Sequence, residues 1–284
     1  MKNYTVIIVK TDPFEPEILS SFLWDAEPSG IEELDNSLKV FFESNDQLKS
    51  ELIKKILEEI KEDKIISEYS IESNTFEDQN WNEEWEKGIQ VIQVTDKIVI
   101  KPTFREYTPH PDELVITIDP KMSFGTGEHQ TTKLILALLQ KYVSHGIKIL
   151  DVGSGTAVLA IAAIKLGASS GTAIDNDLWC LDNGKENAVL NNVQEQLDVR
   201  LGEIKNIEEI DFDLVLANIQ RNILIPLAGE ISSRVKVNGV IILSGLLKDD
   251  EKSIVDEYTK YNCRLVDKSV MDEWIALVFR KIEY

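Results

Sequence analysis

Two glycines between two aspartates set the first chemical expectation for this sequence. The run Asp151-Val-Gly-Ser-Gly-Thr-Ala-Val-Leu-Ala-Ile-Ala-Ala163 carries Gly153 and Gly155, which permit a tight turn and a close approach of backbone to ligand. Asp175 lies 22 residues beyond Gly153, and a carboxylate there can accept hydrogen bonds from two ribose hydroxyls. Such a pair suits a nucleoside-bearing cofactor. The dinucleotide fingerprint G-x-G-x-x-G requires glycine at 158, where this chain has Val158. A pyrophosphate also favours an open helix amino terminus, whereas Ala157, Val158 and Leu159 fill the first turn here. The pattern therefore favours S-adenosylmethionine over a nicotinamide cofactor.

Two further constellations flank that turn. Asp119-Pro-Lys-Met-Ser-Phe-Gly-Thr-Gly-Glu-His-Gln-Thr-Thr132 leads directly into an apolar helical pattern and suggests a ligand wall. Thr131 and Thr132 can cap that helix or present hydroxyls to a ligand's carboxylate or amine. His129 could be a base, a structural hydrogen-bonder or an exposed residue. Downstream, Asp213-Leu-Val-Leu-Ala-Asn-Ile-Gln-Arg-Asn222 reads as a strand that delivers Asn218. Its amide offers both a donor and an acceptor. It could orient an amine that receives a methyl group, touch the cofactor's methionine part, or close a turn.

The elements that must position these residues follow from periodicity. Leu114–Ile118 is extended and Thr131–Tyr142 helical. Strand 147–152, helix 157–166, strand 171–175, helix 178–191 and strands 198–201 and 213–217 follow, then helix 222–235, strand 239–244 and helix 249–260. This alternation predicts an α/β fold, a Rossmann-like doubly wound parallel sheet with helices on both faces. Strands 263–270 and 274–280 are separated only by Met271-Asp-Glu273, which favours a terminal antiparallel hairpin over another crossover.

The first third is different. Strand 4–10, a helix from Pro16 to about Asp25, a short strand Gly30–Leu34, strand Ser37–Glu43, helix Gln47–Lys61 and a strand within Ile65–Phe76 give the order β-α-β-β-α-β. That is a small α+β ferredoxin-like unit. Ile18, Leu19, Phe22 and Leu23 form one helical stripe; Leu48, Leu52, Ile53, Ile56, Leu57 and Ile60 form another. The expected division is 1–75, a linker 76–88 and a catalytic domain 89–284. In the linker, Trp81 and Trp85 share one face of a short helix.

Residues 1–87 hold nine lysines, no arginine and 22 acids, a balance of −13 within a net −20. So acidic a surface argues against naked nucleic acid as a partner and suits docking of a basic protein. No apolar run approaches the ~18 residues of a membrane span. The start alternates like a strand and turns acidic too quickly for a signal peptide. Cys180 and Cys263 give neither a disulfide framework nor zinc spacing. These features point to a reducing cytoplasm, with no metal expected.

Together the three constellations resemble the ribosomal protein L-11 methyltransferase family, from about Trp81 to the end. Phe124-Gly-Thr-Gly-Glu-His-Gln-Thr-Thr132 is the most family-specific element. Asp151-Val-Gly-Ser-Gly, Leu159-Ala-Ile-Ala-Ala163, Ala217-Asn-Ile219 and Leu243-Ser-Gly-Leu246 support it. The resemblance implies S-adenosylmethionine-dependent trimethylation of a basic large-subunit ribosomal protein, at its α-amine and at lysines. It also implies substrate recognition by the amino-terminal domain on a flexible linker. It places cofactor contacts at Thr132, Gly153, Asp175 and Asn218, with Gly155 close by. Three positions depart from the family pattern: Ala157 replaces a glycine, Ser123 an alanine and Leu178 a proline. Ala157 matters most, because its methyl group could crowd the cofactor. Other readings are methylation of another protein, a small amine or RNA, and a cofactor-binding regulator without catalysis.

Overall fold

The computed structural model describes residues 3–34, 36–42, 47–77, 90–119 and 125–283. The chain divides into two compact units, Met1–Gly88 and Ile89–Tyr284. The linker tryptophans Trp81 and Trp85, and Ser123 and Phe124, lie outside the described residues.

In the first unit β1 (Asn3–Asp12), α1 (Pro16–Leu23), β2 (Gly30–Leu34), β3 (Ser37–Phe42), α2 (Gln47–Glu62) and β4 (Glu68–Glu77) follow in the ferredoxin-like order. The sheet runs β2-β3-β1-β4 with every pair antiparallel. Alternate residues of the central strands face the helices: Ile7 and Val9 sit opposite Val40 and Leu38. These four residues pack with Leu19, Leu23, Ile53 and Leu57 in one core. The helical stripes are narrower than the sequence suggests. Ile18 is 47% exposed and Leu52 37% exposed, so one edge of each stripe faces solvent.

The second unit begins with a small sheet of β5 (Ile92–Gln93), β6 (Ile98–Lys101) and β7 (Leu114–Thr117). Then come α3 (Gln130–Tyr142), β8 (Lys148–Val152), α4 (Val158–Lys165), β9 (Ser170–Asp175), α5 (Leu178–Leu190), β10 (Leu197–Leu201) and β11 (Phe212–Asn218). The remainder is α6 (Arg221–Leu224), α7 (Ala228–Arg234), β12 (Val235–Leu247), α8 (Glu251–Thr259), β13 (Cys263–Met271) and β14 (Trp274–Lys281). The large sheet has the order β10-β9-β8-β11-β12-β14-β13. Its first five strands are parallel, and β14 enters antiparallel between β12 and β13.

Period-two alternation sends side chains to both faces of this sheet. Leu214, Leu216 and Ile242 pack with α3, α4 and α5; Val215, Ala217, Ile241 and Leu243 pack on the other face with α7 and α8. Each leucine, isoleucine or valine among them contributes roughly 1.5–3 kcal/mol when fully buried. Helix α4 is buried from Val158 to Ile164, so it is apolar all round, as an interior helix must be.

Two elements depart from the periodicity. The expected helix 222–235 is split into α6 and α7 by a turn at Ile225-Pro226-Leu227, because proline supplies no N–H and clashes with the preceding helical turn. Strand β12 starts at Val235 rather than 239. A register shift against β11 absorbs the extra residues, and Asn238 takes a left-handed conformation there.

Candidate functional site

Strand order reverses between β8 and β11, which are hydrogen-bonded neighbours. Ligands of open parallel sheets bind at such a reversal, outside the carboxyl ends of the strands. In this chain those ends deliver Gly153 after β8, Asp175 at the end of β9, Gly202 after β10 and Asn218 at the end of β11. A cleft of 260 Å³ opens there, lined by Gly153, Asp175, Gly202, Glu203, Ile219 and Ile223 among others. Its volume is near the low end of small-molecule sites, roughly 300 Å³.

Gly153 has φ +70°, and a Cβ built on it would lie 2.6 Å from Ile219 Cγ2. Any side chain at 153 would therefore fill the cleft. The carboxylate of Asp175 shapes the same turn: Oδ2 accepts from Gly155 N–H at 2.9 Å and Oδ1 from Asp177 N–H at 3.0 Å. Each oxygen keeps a lone pair for a ligand hydroxyl. Gly155 is not among the residues lining the cleft; it holds the aspartate.

Behind the turn lies Asp151, fully buried. Helix α4 has no side-chain cap at Ala157, and Asp151 Oδ2 accepts from Ala160 N–H at 3.2 Å instead. Burial pushes its carboxyl up to about 7; the Ala160 N–H opposes the shift and the charge of Asp175 adds to it. Among the described residues, Asp151 Oδ1, Ser154 Oγ and Asn218 Oδ1 are buried without a hydrogen-bond partner. An unmet buried polar group costs about 1–3 kcal/mol; of the three, Asn218 stands at the carboxyl end of β11, where a ligand can meet it.

On the other side of Asn218, its Nδ2 donates to Thr132 Oγ1 at 3.3 Å. This bond joins the two substrate-side constellations of the sequence. The helix cap is different from the expectation: α3 begins at Gln130, and His129 caps it through a ring nitrogen that accepts from Thr131 N–H. The His129 ring also meets Trp274 edge-on, at 4.7 Å between centroids. The structure thus brings together Gly153, Gly155 and Asp175 in one group and Thr132 and Asn218 in another, with Asn218 following Ala217, the register partner of Val152.

The departures from the family pattern have local accounts. Ala157 takes a left-handed backbone (φ 62°). Its methyl group points toward α5, where a Cβ on Gly184 would lie 3.4 Å from it, and it does not line the cleft. The tighter neighbour of that Cβ would be Val199 Cγ1, at 3.1 Å. Leu178, 58% exposed, starts α5 after Asp177, whose carboxylate caps the helix through Trp179 N–H. Residues such as Gly202 and Ile223 were missed by sequence reasoning. Gly202 was findable as the glycine after a parallel strand, whereas Ile223 has no signal beyond an apolar helix.

Comparison with known proteins agrees with this architecture. The family described as Ribosomal protein L11 methyltransferase (PrmA) matches residues 10–282. The ribosomal protein L11 methyltransferase of Ruminiclostridium cellulolyticum is 35% identical over 283 residues, covering 95% of this chain and 88% of that one. That of Porphyromonas gingivalis is 36% identical over 266 residues, covering 93% and 90%. Among solved structures, a ribosomal protein L11 methylase from Lactobacillus delbrueckii subsp. bulgaricus superposes with a TM-score of 0.65 at 29% identity. It covers 69% of this chain and 100% of its own. The chain belongs to the ribosomal protein L11 methyltransferase family.

Proposed function

We propose that this protein transfers methyl groups from S-adenosylmethionine to ribosomal protein L11, at its α-amine and at lysine side chains, up to the trimethyl state. The observation that carries the reading is Asn218 joined to Thr132 at the reversal point of the sheet, its buried Oδ1 without a partner among the described residues. The residues present fit the cofactor. Asp175 has free lone pairs for the ribose diol. Ile174, Ile204, Ile219 and Leu227 offer apolar wall to an adenine. Gly153 lets the methionine part of the cofactor approach the backbone of the turn.

When bound, S-adenosylmethionine supplies an already activated methyl group. The chain's own part is to bind, orient and dry the reactants, so most of the rate comes from positioning. An α-amine titrates near ~8 and is partly neutral at pH 7. A lysine near ~10.4 must give up its proton at a cost of about 4–5 kcal/mol at pH 7, which burial of the ammonium in the site helps to supply. Asn218 Oδ1 accepts a hydrogen from the amine and aligns its lone pair. No strong base is required for the α-amine.

The acidic first unit, with 22 acids against nine lysines in residues 1–87, supports docking of a basic substrate through complementary fields. Mass spectrometry of purified L11 after incubation with the enzyme and labelled cofactor tests the proposal: label on the α-amine and lysines is expected, and unlabelled L11 refutes it. Deleting residues 1–75 is expected to raise KM for L11 while leaving cofactor binding intact. Unchanged L11 methylation would remove the docking role.

A further inference from the structure

A chain of buried polar contacts ties the cofactor turn to the segment that carries Thr132. Thr156, fully buried, donates its hydroxyl to the carbonyl of Gly125 at 2.8 Å. The carbonyl of the same Thr156 accepts from Asn187 Nδ2 at 3.0 Å. Asn187 Oδ1 in turn accepts from Asp119 N–H at 2.8 Å. One residue after the glycine turn, Thr156, is thus linked through its carbonyl and Asn187 to Asp119, beyond β7, and through its hydroxyl to Gly125, five residues before α3.

The contacts continue along one face of α5 to its C-cap, where asparagines recur every four residues. Asn183 Oδ1 accepts from Asn187 Nδ2. Asn191 engages both backbone groups of Thr117, accepting from its N–H at 2.9 Å and donating to its carbonyl at 2.6 Å. Asn183, Asn187 and Asn191 are all buried. The fit at Gly125 is close: its φ is +104°, and a Cβ there would lie 2.7 Å from Thr156 Oγ1.

Stability alone does not explain such a set. Paired buried polar groups contribute little net energy, and apolar pairs of the same shape serve as well. What polar pairs add is geometry, each fixing a backbone atom at a set distance. Reaction rate is sensitive to that geometry, with about 100-fold lost for an ångström of misplacement. We infer that Thr156 and Asn187 are positioning residues, which lock the segment Gly125–Thr132 onto the cofactor turn and so hold Thr132 and Asn218 in place. This inference rests on the reading of Thr132 and Asn218 as site residues.

Thr156→Val keeps the shape and removes the donor to Gly125; Thr156→Ser keeps the donor. In the protein alone, hydrogen exchange of the amides from Gly125 to Thr132 is expected to rise about tenfold in Thr156→Val and to return toward wild type in Thr156→Ser. With cofactor and L11, kcat falls about tenfold in Thr156→Val while the cofactor Kd stays within about twofold, and serine restores kcat. Unchanged exchange, unchanged kcat, or a serine variant as defective as valine overturns the inference. Asn187→Leu removes the donor to the Thr156 carbonyl, and it decides the matter on the same readouts if Thr156→Val does not fold. If wild-type protein fails to methylate L11, the functional reading falls while the exchange experiment still tests the lock.

Discussion

Asp151 makes the catalytic unit less stable as pH rises toward neutrality, and Asp151→Asn is expected to abolish that loss. An aspartate in an unfolded chain titrates near ~3.9, whereas burial raises Asp151 to about 7 in the folded protein. Between those values the folded state holds a proton that the unfolded chain has released. Stability from this group is therefore complete below about pH 4, is lost as pH rises through 7, and is flat above. Integrated from pH 5 to pH 8, at about 1.4 kcal/mol per unit, the loss is about 2–3 kcal/mol. In a unit of this size that corresponds to about 5–10 °C in Tm. Guanidinium unfolding of wild type and Asp151→Asn at the two pH values, without cofactor, measures the difference directly. Other carboxylates do not confuse it. Glu209, for example, is lowered to about 2 by its hydrogen bond from Arg200, so its contribution is lost only as pH falls below about 4. Wild-type and variant stabilities that run parallel from pH 5 to 8 would refute the reasoning, and with it the claim that Asp151 is kept dry.

Three further expectations concern the site. Asp175→Ala removes the acceptor for two ribose hydroxyls, each bond to a charged group being worth about 1.5–3 kcal/mol. Calorimetry should therefore find the cofactor at least about 100-fold weaker, and an unchanged affinity removes Asp175 from the site. Asn218→Ala is expected to lower turnover by about 100-fold; full turnover with cofactor bound defeats its role. Ala157→Gly relieves about 1 kcal/mol of left-handed strain and loses a buried methyl worth about 0.8 kcal/mol. Its stability should stay within about 1 kcal/mol of wild type, and a Tm change beyond about 5 °C would show that the methyl does more than face Gly184.

Much of this architecture is legible in the residues because parallel strands and helices announce themselves by period. The glycine turn and Asp175 stand out since backbone conformation and charge are properties of single residues. Pro226, by contrast, needed to be weighed against an otherwise continuous apolar stripe, and the stripe concealed the break it causes. The asparagines of α5 read as ordinary polar positions, because their partners at 117, 119 and 156 are distant in sequence. His129 looked like a candidate for chemistry, while its ring nitrogen closes a helix end. Polar side chains reveal their use only when the fold supplies the other half of the bond.

The insertion of β14 between β12 and β13 has a consequence for the chain while it is being made. Strand β12, with Ile241, Ile242 and Leu243 wholly buried in the finished sheet, finds its partner on one side as soon as β11 is available. Its other side waits until Trp274–Lys281 has been synthesised, 34 residues after Leu247. At ~5–20 residues per second this delay is about 2–7 s. During that interval an apolar strand presents an open edge, the feature most prone to pairing with another chain. The chain thus carries, within its own sheet, a dependence on the timing of its own synthesis.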